Sequence, residues 1–125
     1  MRFLSMLKMD ENLSDTIGNP PPALFAAIGA FAEEVAREGL LVEQGGLLPS
    51  AAGALIHVDN GRLEIQDGPF AEAKELVGGY SIADFRSREE AVAFSRRFMQ
   101  VHIDTWPGFV GTCEIRQLMD FDGQG

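Results

Sequence analysis

Residues 67–80 have the sequence DGPFAEAKELVGGY, and this stretch is the most informative part of the chain. It follows a segment in which apolar and polar residues alternate, as they do in a half-buried strand. Gly68-Pro69 ends that strand, because proline has no backbone N–H to donate to a ladder. A charged run then leads to Gly79, where the next strand is predicted to begin. The stretch therefore predicts a turn and a connection that place Asp67 at the end of a strand.

The segment before this stretch, Ala54 to Asp67, predicts a β-hairpin. Asn60-Gly61 is the preferred pair for a two-residue type I′ turn, since both residues tolerate positive φ. That turn places Val58 opposite Leu63, His57 opposite Glu64 and Ile56 opposite Ile65. One hairpin face is then apolar and the other is polar.

The remaining elements follow from periodicity and from breaking residues. In chain order we predict a strand over Arg2–Lys8, a Pro-rich loop over Asp10–Pro22, a helix from Pro21-Pro22 to Gly39 with Leu24, Ile28, Phe31 and Val35 on one face, a strand over Leu40–Leu48, a loop over Pro49–Gly53, the hairpin, a strand over Gly79–Phe85, a helix from Ser87 to Thr105, and a strand over Thr112–Met119. Gly29 interrupts the first helix, and a close helix–sheet contact would explain it.

This order of elements predicts an α+β fold, a ferredoxin-like sandwich with an added β-hairpin. Two helices cover one face of an antiparallel sheet. The first strand is apolar on both faces, so the other face also needs a cover, and we expect a homodimer. A length of 125 residues fits a single domain over residues 1–125, with a loosely ordered tail after about residue 120.

Composition limits the possible partners. The chain carries 10 Lys and Arg against 19 Asp and Glu, a net charge of −9, which disfavours binding to nucleic acid or to an anionic membrane. Cys113 is the single cysteine, so no disulfide can form within the chain. The start of the chain has a strand pattern that differs from a signal peptide, and no apolar run reaches the roughly 20 residues of a membrane helix. These features predict a cytoplasmic protein.

Asp67 is the candidate catalytic residue. Strand alternation places it on the same side as Leu63 and Ile65, and a carboxylate on an apolar face needs a partner or a shifted pKa. It can act as a general acid/base or anchor a ligand. It can equally accept backbone N–H groups of the turn, from Gly68, Phe70 or Ala71. The sequence leaves both roles open.

Three further residues are candidate ligand-binding residues. Phe70 fits either the core or a pocket wall, and Lys74 fits either a solvated charge run or a contact to an anionic substrate. Tyr80 fits a strand tyrosine whose hydroxyl reaches toward Asp67.

The two histidines have surface interpretations. His57 and Glu64 are predicted to form a solvated cross-strand pair, and His102 is expected to be a cation at a helix C-terminus. With two His, one Cys and no close ligand spacing, we predict no metal and no cofactor.

The string D-G-P-F-A-E-x-K-E…G-G-Y resembles the signature of the YCII-related, or DGPF-domain, family. Trp106-Pro107-Gly108 is similar to a segment of one DGPF subgroup. The resemblance implies a dimeric α+β barrel in which two sheets pack face to face. Ala73 stands where the family usually has Thr, so a hydroxyl is missing here. The family's His/Asp pair has its His near the start of the chain, and this chain has no His before His57.

The resemblance implies an uncharacterised dimeric protein that binds a small molecule in a pocket near the Asp67–Phe70 loop. One alternative is a cofactor-free enzyme with Asp67 as general acid/base, by analogy with other families of the same barrel group. The other is a protein-binding accessory in transcription regulation, because DGPF domains occur with bacterial sigma factors.

Overall fold

The computed structural model of the chain describes residues 1–70 and 74–120. Its elements, in chain order, are β1 (Arg2–Met9), α1 (Leu13–Ile17), α2 (Pro22–Arg37), β2 (Leu41–Gly46), a 3₁₀ turn (Ser50–Ala52), β3 (Ala54–Asp59), β4 (Arg62–Asp67), β5 (Leu76–Asp84), α3 (Arg88–Thr105) and β6 (Thr112–Gln117).

The main sheet has four antiparallel strands in the order β2-β5-β1-β6. The first strand lies beside β5 and β6, and β2 and β6 form the edges. This is the arrangement of a ferredoxin-like sandwich, and the prediction of an α+β fold is confirmed. The buried core on the helix side consists of Phe3, Ala83, Phe85 and Ala91, with Phe94 packed against it.

The hairpin forms a two-stranded sheet of its own, β3-β4. Its register is the predicted one, with Val58 opposite Leu63 and Ile56 opposite Ile65. Asn60 and Gly61 have φ of 52° and 73°, as a type I′ turn requires. The side chains of the apolar face are 66–74% exposed in the single chain.

Helix α2 begins at Pro22, as predicted, and buries Leu24 and Val35. Gly39 follows it with φ of 72°, a left-handed conformation that favours glycine. The explanation offered for Gly29 is wrong. A Cβ added there would meet no atom within 4 Å, so no close helix–sheet contact accounts for this glycine.

The segment between β1 and α2 contains a helix that the sequence did not predict. Helix α1 has five residues, too few to show a helical period. The Trp106 indole N–H donates to the carbonyl of Gly18 just beyond it, at 3.2 Å. Trp106 is buried and its ring lies 5.5 Å from that of Phe109, so the Trp-Pro-Gly connection packs as an aromatic anchor.

Helix α3 has the predicted boundaries. The Ser87 hydroxyl accepts the backbone N–H of Glu90 at 3.1 Å, which is half of the predicted capping box. The helix ends at Thr105, before Pro107-Gly108. Gly108 has φ of 85°.

Candidate functional site: a cavity between the helices and the sheet

A cavity of about 560 Å³ lies between helices α2 and α3 and the main sheet. Most of its wall is apolar, and the wall includes five phenylalanines. The lining residues that matter for its chemistry are Phe25, Phe31, Phe85, Phe94 and Phe98 on the apolar side, and Ser5, Gln44, Ser81 and Ser95 on the polar side, with Cys113 beside them.

The cavity exists because the sheet presents small side chains to the helices. Ser5 on β1 pairs with Ser81 on β5, and Ser81 pairs with Gln44 on β2. In the next row, Gly79 pairs with Gly46. Serine and glycine at these positions leave volume that the helices do not fill.

The cavity opens at the edge strand β2. Gln44 and Gly46 are exposed there, and Phe25 of α2, which is 62% exposed, lines the same cavity. We define these three residues as the mouth. A molecule entering from solvent would therefore meet an aromatic ring and an amide before it reaches the floor.

One polar corner of the cavity is formed by Ser5, Ser95 and Cys113. The hydroxyls of Ser5 and Ser95 lie 3.4 Å apart, and the Ser95 hydroxyl also interacts with the Cys113 thiol. Burial raises the pKa of Cys113, and the hydrogen bond from Ser95 opposes that change. Burial therefore favours the protonated thiol of Cys113.

The DGPF loop, Asp67–Phe70, is held in place by hydrogen bonds that link Glu11, Ser50 and Phe70. The Glu11 carboxylate accepts the backbone N–H of Ser50 and, at 2.7 Å, the Ser50 hydroxyl. The same hydroxyl accepts the backbone N–H of Phe70 at 2.9 Å. The Gly68 N–H donates to the carbonyl of Gly53 at 3.0 Å. Ser50 is thus the buried centre of the loop.

Gly68 lies directly against the backbone of Ser50. A Cβ at this position would lie 1.6 Å from the carbonyl oxygen of Ser50, far inside any van der Waals contact. The Gly68-Pro69 peptide is cis. The glycine of the motif is therefore required by the close approach of another backbone segment.

Asp67 is exposed at the end of β4, opposite Ala54. Two of the donors predicted for its carboxylate bind elsewhere, since the N–H of Gly68 goes to Gly53 and that of Phe70 goes to Ser50. The third predicted donor, Ala71, lies outside the described residues. The prediction that Asp67 accepts these N–H groups is therefore wrong for Gly68 and Phe70, whose acceptors are Gly53 and Ser50. Its role as acid/base or ligand anchor stays a prediction.

The other predicted site residues occupy two separate regions. Phe70 is half-buried in the DGPF loop and its ring tip approaches Gly53, whereas Lys74 is exposed. Tyr80 borders the cavity and its ring covers Gly45, where a Cβ would come within 3.0 Å of it. Within residues 1–70 and 74–120, no hydrogen bond joins Tyr80 to Asp67.

The two histidines differ from each other and from their predicted roles. His57 lies opposite Glu64, as predicted, but its Nε2 is 3.1 Å from the side-chain oxygen of Gln66. His102 is 2% exposed, between the rings of Phe98 and Phe109. Burial lowers the pKa of His102, and its hydrogen bond to the carbonyl of Phe98 opposes this. The predicted cation at the helix C-terminus is therefore wrong, because an aromatic cluster encloses the imidazole.

Sequence reasoning missed the residues that form the cavity. Ser5, Ser81 and Gln44 occupy inward-facing strand positions where large apolar residues are expected. The presence of small and polar residues at these positions was the available signal. It indicates a cavity only when the three strands are known to lie side by side.

Comparison with known proteins agrees with the fold and with the motif. The YCII-related domain matches residues 1–122 of the chain. An uncharacterised protein of Rhizobium meliloti (strain 1021) is 31% identical over 91 residues, which is 73% of this chain and 69% of that protein. The chain belongs to the YCII-related family.

The described residues include no helix that is long and apolar enough to span a membrane. In the same part of the chain, no group of three or more His, Cys, Asp or Glu side chains is arranged to hold a metal ion.

Proposed function

We propose that this YCII-related protein is a homodimer that binds a small molecule in the cavity between its helices and its sheet. The observation that carries the proposal is the cavity of about 560 Å³. Ligand pockets measure roughly 300–1,000 Å³ and combine apolar walls with a few polar groups, and this cavity has both properties.

The free space follows from the sequence of the sheet. Gly46 has room for a larger side chain, since the nearest atom to an added Cβ lies at 3.9 Å, whereas an added Cβ at Gly79 would make an ordinary contact at 3.4 Å. Small residues on three adjacent strands favour a space that is retained for an occupant, because filling it with methyl groups would otherwise stabilise the fold.

A neutral fluorescent probe tests this site. N-phenyl-1-naphthylamine should bind with a saturable rise in fluorescence and one site per chain. Gly46→Leu places a side chain at the mouth and should weaken binding about tenfold or more, a change of roughly 1.4 kcal/mol. Gly29→Leu is the matched control, since Gly29 is exposed on α2 and does not line the cavity. Equal affinity for the two variants would contradict the proposal.

The homodimer rests on surfaces that the single chain leaves uncovered. Helices α2 and α3 cover one face of the sheet, and Leu4, Met6 and Ile82 are half-buried at the alternate strand positions. The apolar hairpin face adds Ile56 and Ile65, 66% and 69% exposed. An isolated two-stranded hairpin is at best marginally stable. A second copy of the chain that covers the open sheet face and the apolar hairpin face accounts for both surfaces.

Substitutions at two neighbouring positions test whether a second subunit covers the apolar face of the hairpin. Ile65→Glu introduces a charge on the apolar face, and Gln66→Glu introduces the same charge on the opposite face. We expect Ile65→Glu to shift sedimentation toward a monomer at micromolar concentration and Gln66→Glu to leave the dimer intact. A parent chain that sediments as a compact monomer would refute the dimer.

A ligand site at the Asp67–Phe70 loop, with Lys74 as a contact and Asp67 as a catalytic group, remains a separate proposal. What supports it is the exposed Asp67 carboxylate, which lies at the rim of a loop that Ser50 holds in place. Its test is to locate the bound ligand on the protein.

A further inference from the structure

We infer that the ligand of the helix–sheet cavity is a neutral aromatic molecule with one hydrogen-bonding group, which lies against Ser81 and Gln44. This inference rests on the proposed function, because it names the chemical class that the same cavity accepts. It follows from three properties of the wall: its charge, its aromatic content and the position of its polar groups.

The wall carries no charged side chain among the described residues that line it, although Asp, Glu, Lys and Arg make up 23% of the chain. An ion that entered would lose its hydration without gaining a counter-charge, which is strongly unfavourable. The cavity therefore selects against carboxylates and ammonium groups.

One cation lies near the wall, and it is already paired. The Arg97 guanidinium lies over the rings of Phe31 and Phe94, at 5.2 Å and 5.4 Å from their centroids. The same guanidinium contacts both oxygens of Glu34, at 2.8 Å and 2.7 Å. Because Glu34 neutralises it, Arg97 gives an anionic ligand little attraction.

The aromatic content of the wall favours a flat ligand. Phe31, Phe94 and Phe98 pack edge-to-face or tilted, with Phe31 at 6.3 Å from Phe94 and 5.9 Å from Phe98. Rings in these arrangements present both faces and edges to the cavity, and a further ring can pack against them in the same geometry.

The polar groups form a row across three strands. Ser5, Ser81 and Gln44 are successive register partners. The Ser5 hydroxyl already contacts Ser95, whereas the Ser81 hydroxyl and the Gln44 amide have no hydrogen-bond partner in the part of the chain that the structure describes. These two groups can therefore donate to and accept from an amide or hydroxyl group on a ligand that enters from the mouth.

A matched set of naphthalene compounds tests the class: 2-naphthamide, naphthalene, 2-naphthoate and 2-naphthylmethylammonium. Each is titrated against the protein loaded with N-phenyl-1-naphthylamine, and displacement is followed by fluorescence. We expect the neutral amide to bind about tenfold or more tightly than either ion, because only the ions lose hydration uncompensated. It should also bind more tightly than naphthalene, because it gains the bonds to Ser81 and Gln44.

Variants test the polar row. Gln44→Leu combined with Ser81→Ala should remove the preference for 2-naphthamide over naphthalene while naphthalene itself still binds. Gln117→Leu is the control, since Gln117 is an exposed strand residue outside the cavity and should leave the preference unchanged. A preference that survives the double substitution would overturn the assignment of the polar row.

The outcomes separate this inference from the function on which it rests. Binding of 2-naphthoate or of the ammonium compound as tightly as the amide would overturn the ligand class and leave a binding cavity. Binding of N-phenyl-1-naphthylamine without displacement by any of the four compounds would also overturn the class. Failure of N-phenyl-1-naphthylamine to bind at all would overturn the proposed function itself.

Discussion

Glycine has opposite surroundings in the DGPF loop and along the cavity wall. At Gly68 an added Cβ would lie 1.6 Å from the Ser50 oxygen and 2.5 Å from its carbonyl carbon. At Gly46 and Gly79 the nearest atom would be 3.9 Å or 3.4 Å away. Gly68 is small because another segment occupies its space, whereas Gly46 leaves space free. The Gly68-Pro69 turn of the motif is therefore tightly packed, and the cavity lies beside Gly78-Gly79 and beside Ser5, Ser81 and Gln44, which belong to no motif.

The largest effect should come from Gly68→Ala. The added methyl group meets the Ser50 backbone, which cannot rotate away as a flexible side chain would, so we expect a loss of about 3 kcal/mol in the free energy of unfolding. Chemical denaturation measures it. Gly53→Ala is the control, because its Cβ would have an ordinary contact at 3.5 Å, and it should change stability far less. Equal losses would mean that the close approach at Gly68 is not what the loop depends on.

Ser50→Ala should have the next largest effect. The change leaves the Phe70 N–H without its acceptor and removes one of the two hydrogen bonds to Glu11. Stranding such partners costs about 1–3 kcal/mol. Asp67→Ala, at an exposed position, should cost less than about 0.5 kcal/mol.

This comparison tests one of the two roles that the sequence left open for Asp67, that of the acceptor in the turn. Denaturant unfolding of both variants decides between the two residues. A larger loss in Asp67→Ala than in Ser50→Ala would restore the structural role of the aspartate.

Gly29→Ala should stabilise the protein by about 0.5–1 kcal/mol, because alanine is the better helix former and loses less backbone entropy. The position is inside α2 and a Cβ meets no atom within 4 Å. Thermal unfolding checks the sign. A loss of stability would indicate that something covers this side of α2 in the assembled protein.

The smallest effect on stability is expected for Gly46→Ala, within about 0.5 kcal/mol. The mouth of the cavity has room for the methyl group, whose nearest neighbour would be the carbonyl oxygen of Gly78 at 3.9 Å. Denaturation of this variant beside Gly68→Ala measures the contrast between the two regions directly. A loss comparable to that of Gly68→Ala would show that the cavity at Gly46 is as tightly packed as the loop.

Local features of the fold were predictable from the sequence. The hairpin register follows from Asn60-Gly61, and the start of α3 follows from Ser87 and Glu90, because each depends on residues a few positions apart. The exposure of Ile56 and Ile65 was not predictable, since alternation tells which face is apolar and not what covers it.

The candidate site was less predictable, for a physical reason. Ser50 reaches Glu11 across 39 positions of sequence and Phe70 across 20, and no local pattern encodes such contacts. No local pattern encodes the cavity either, because it is the volume that three strands and two helices leave unfilled. Tyr80 alone among the predicted site residues borders that cavity, and it was proposed for a different reason, a hydroxyl that reaches toward Asp67.

The most direct test of the account maps a bound probe on the protein by ¹H–¹⁵N NMR. Titration with N-phenyl-1-naphthylamine should shift the amide resonances of Gln44, Gly79, Ser81 and Cys113, which belong to the cavity. The amides of Gly53, Asp67 and Phe70 should stay in place. Shifts confined to these three residues, with the cavity amides unchanged, would contradict the account and assign ligand binding to the DGPF loop.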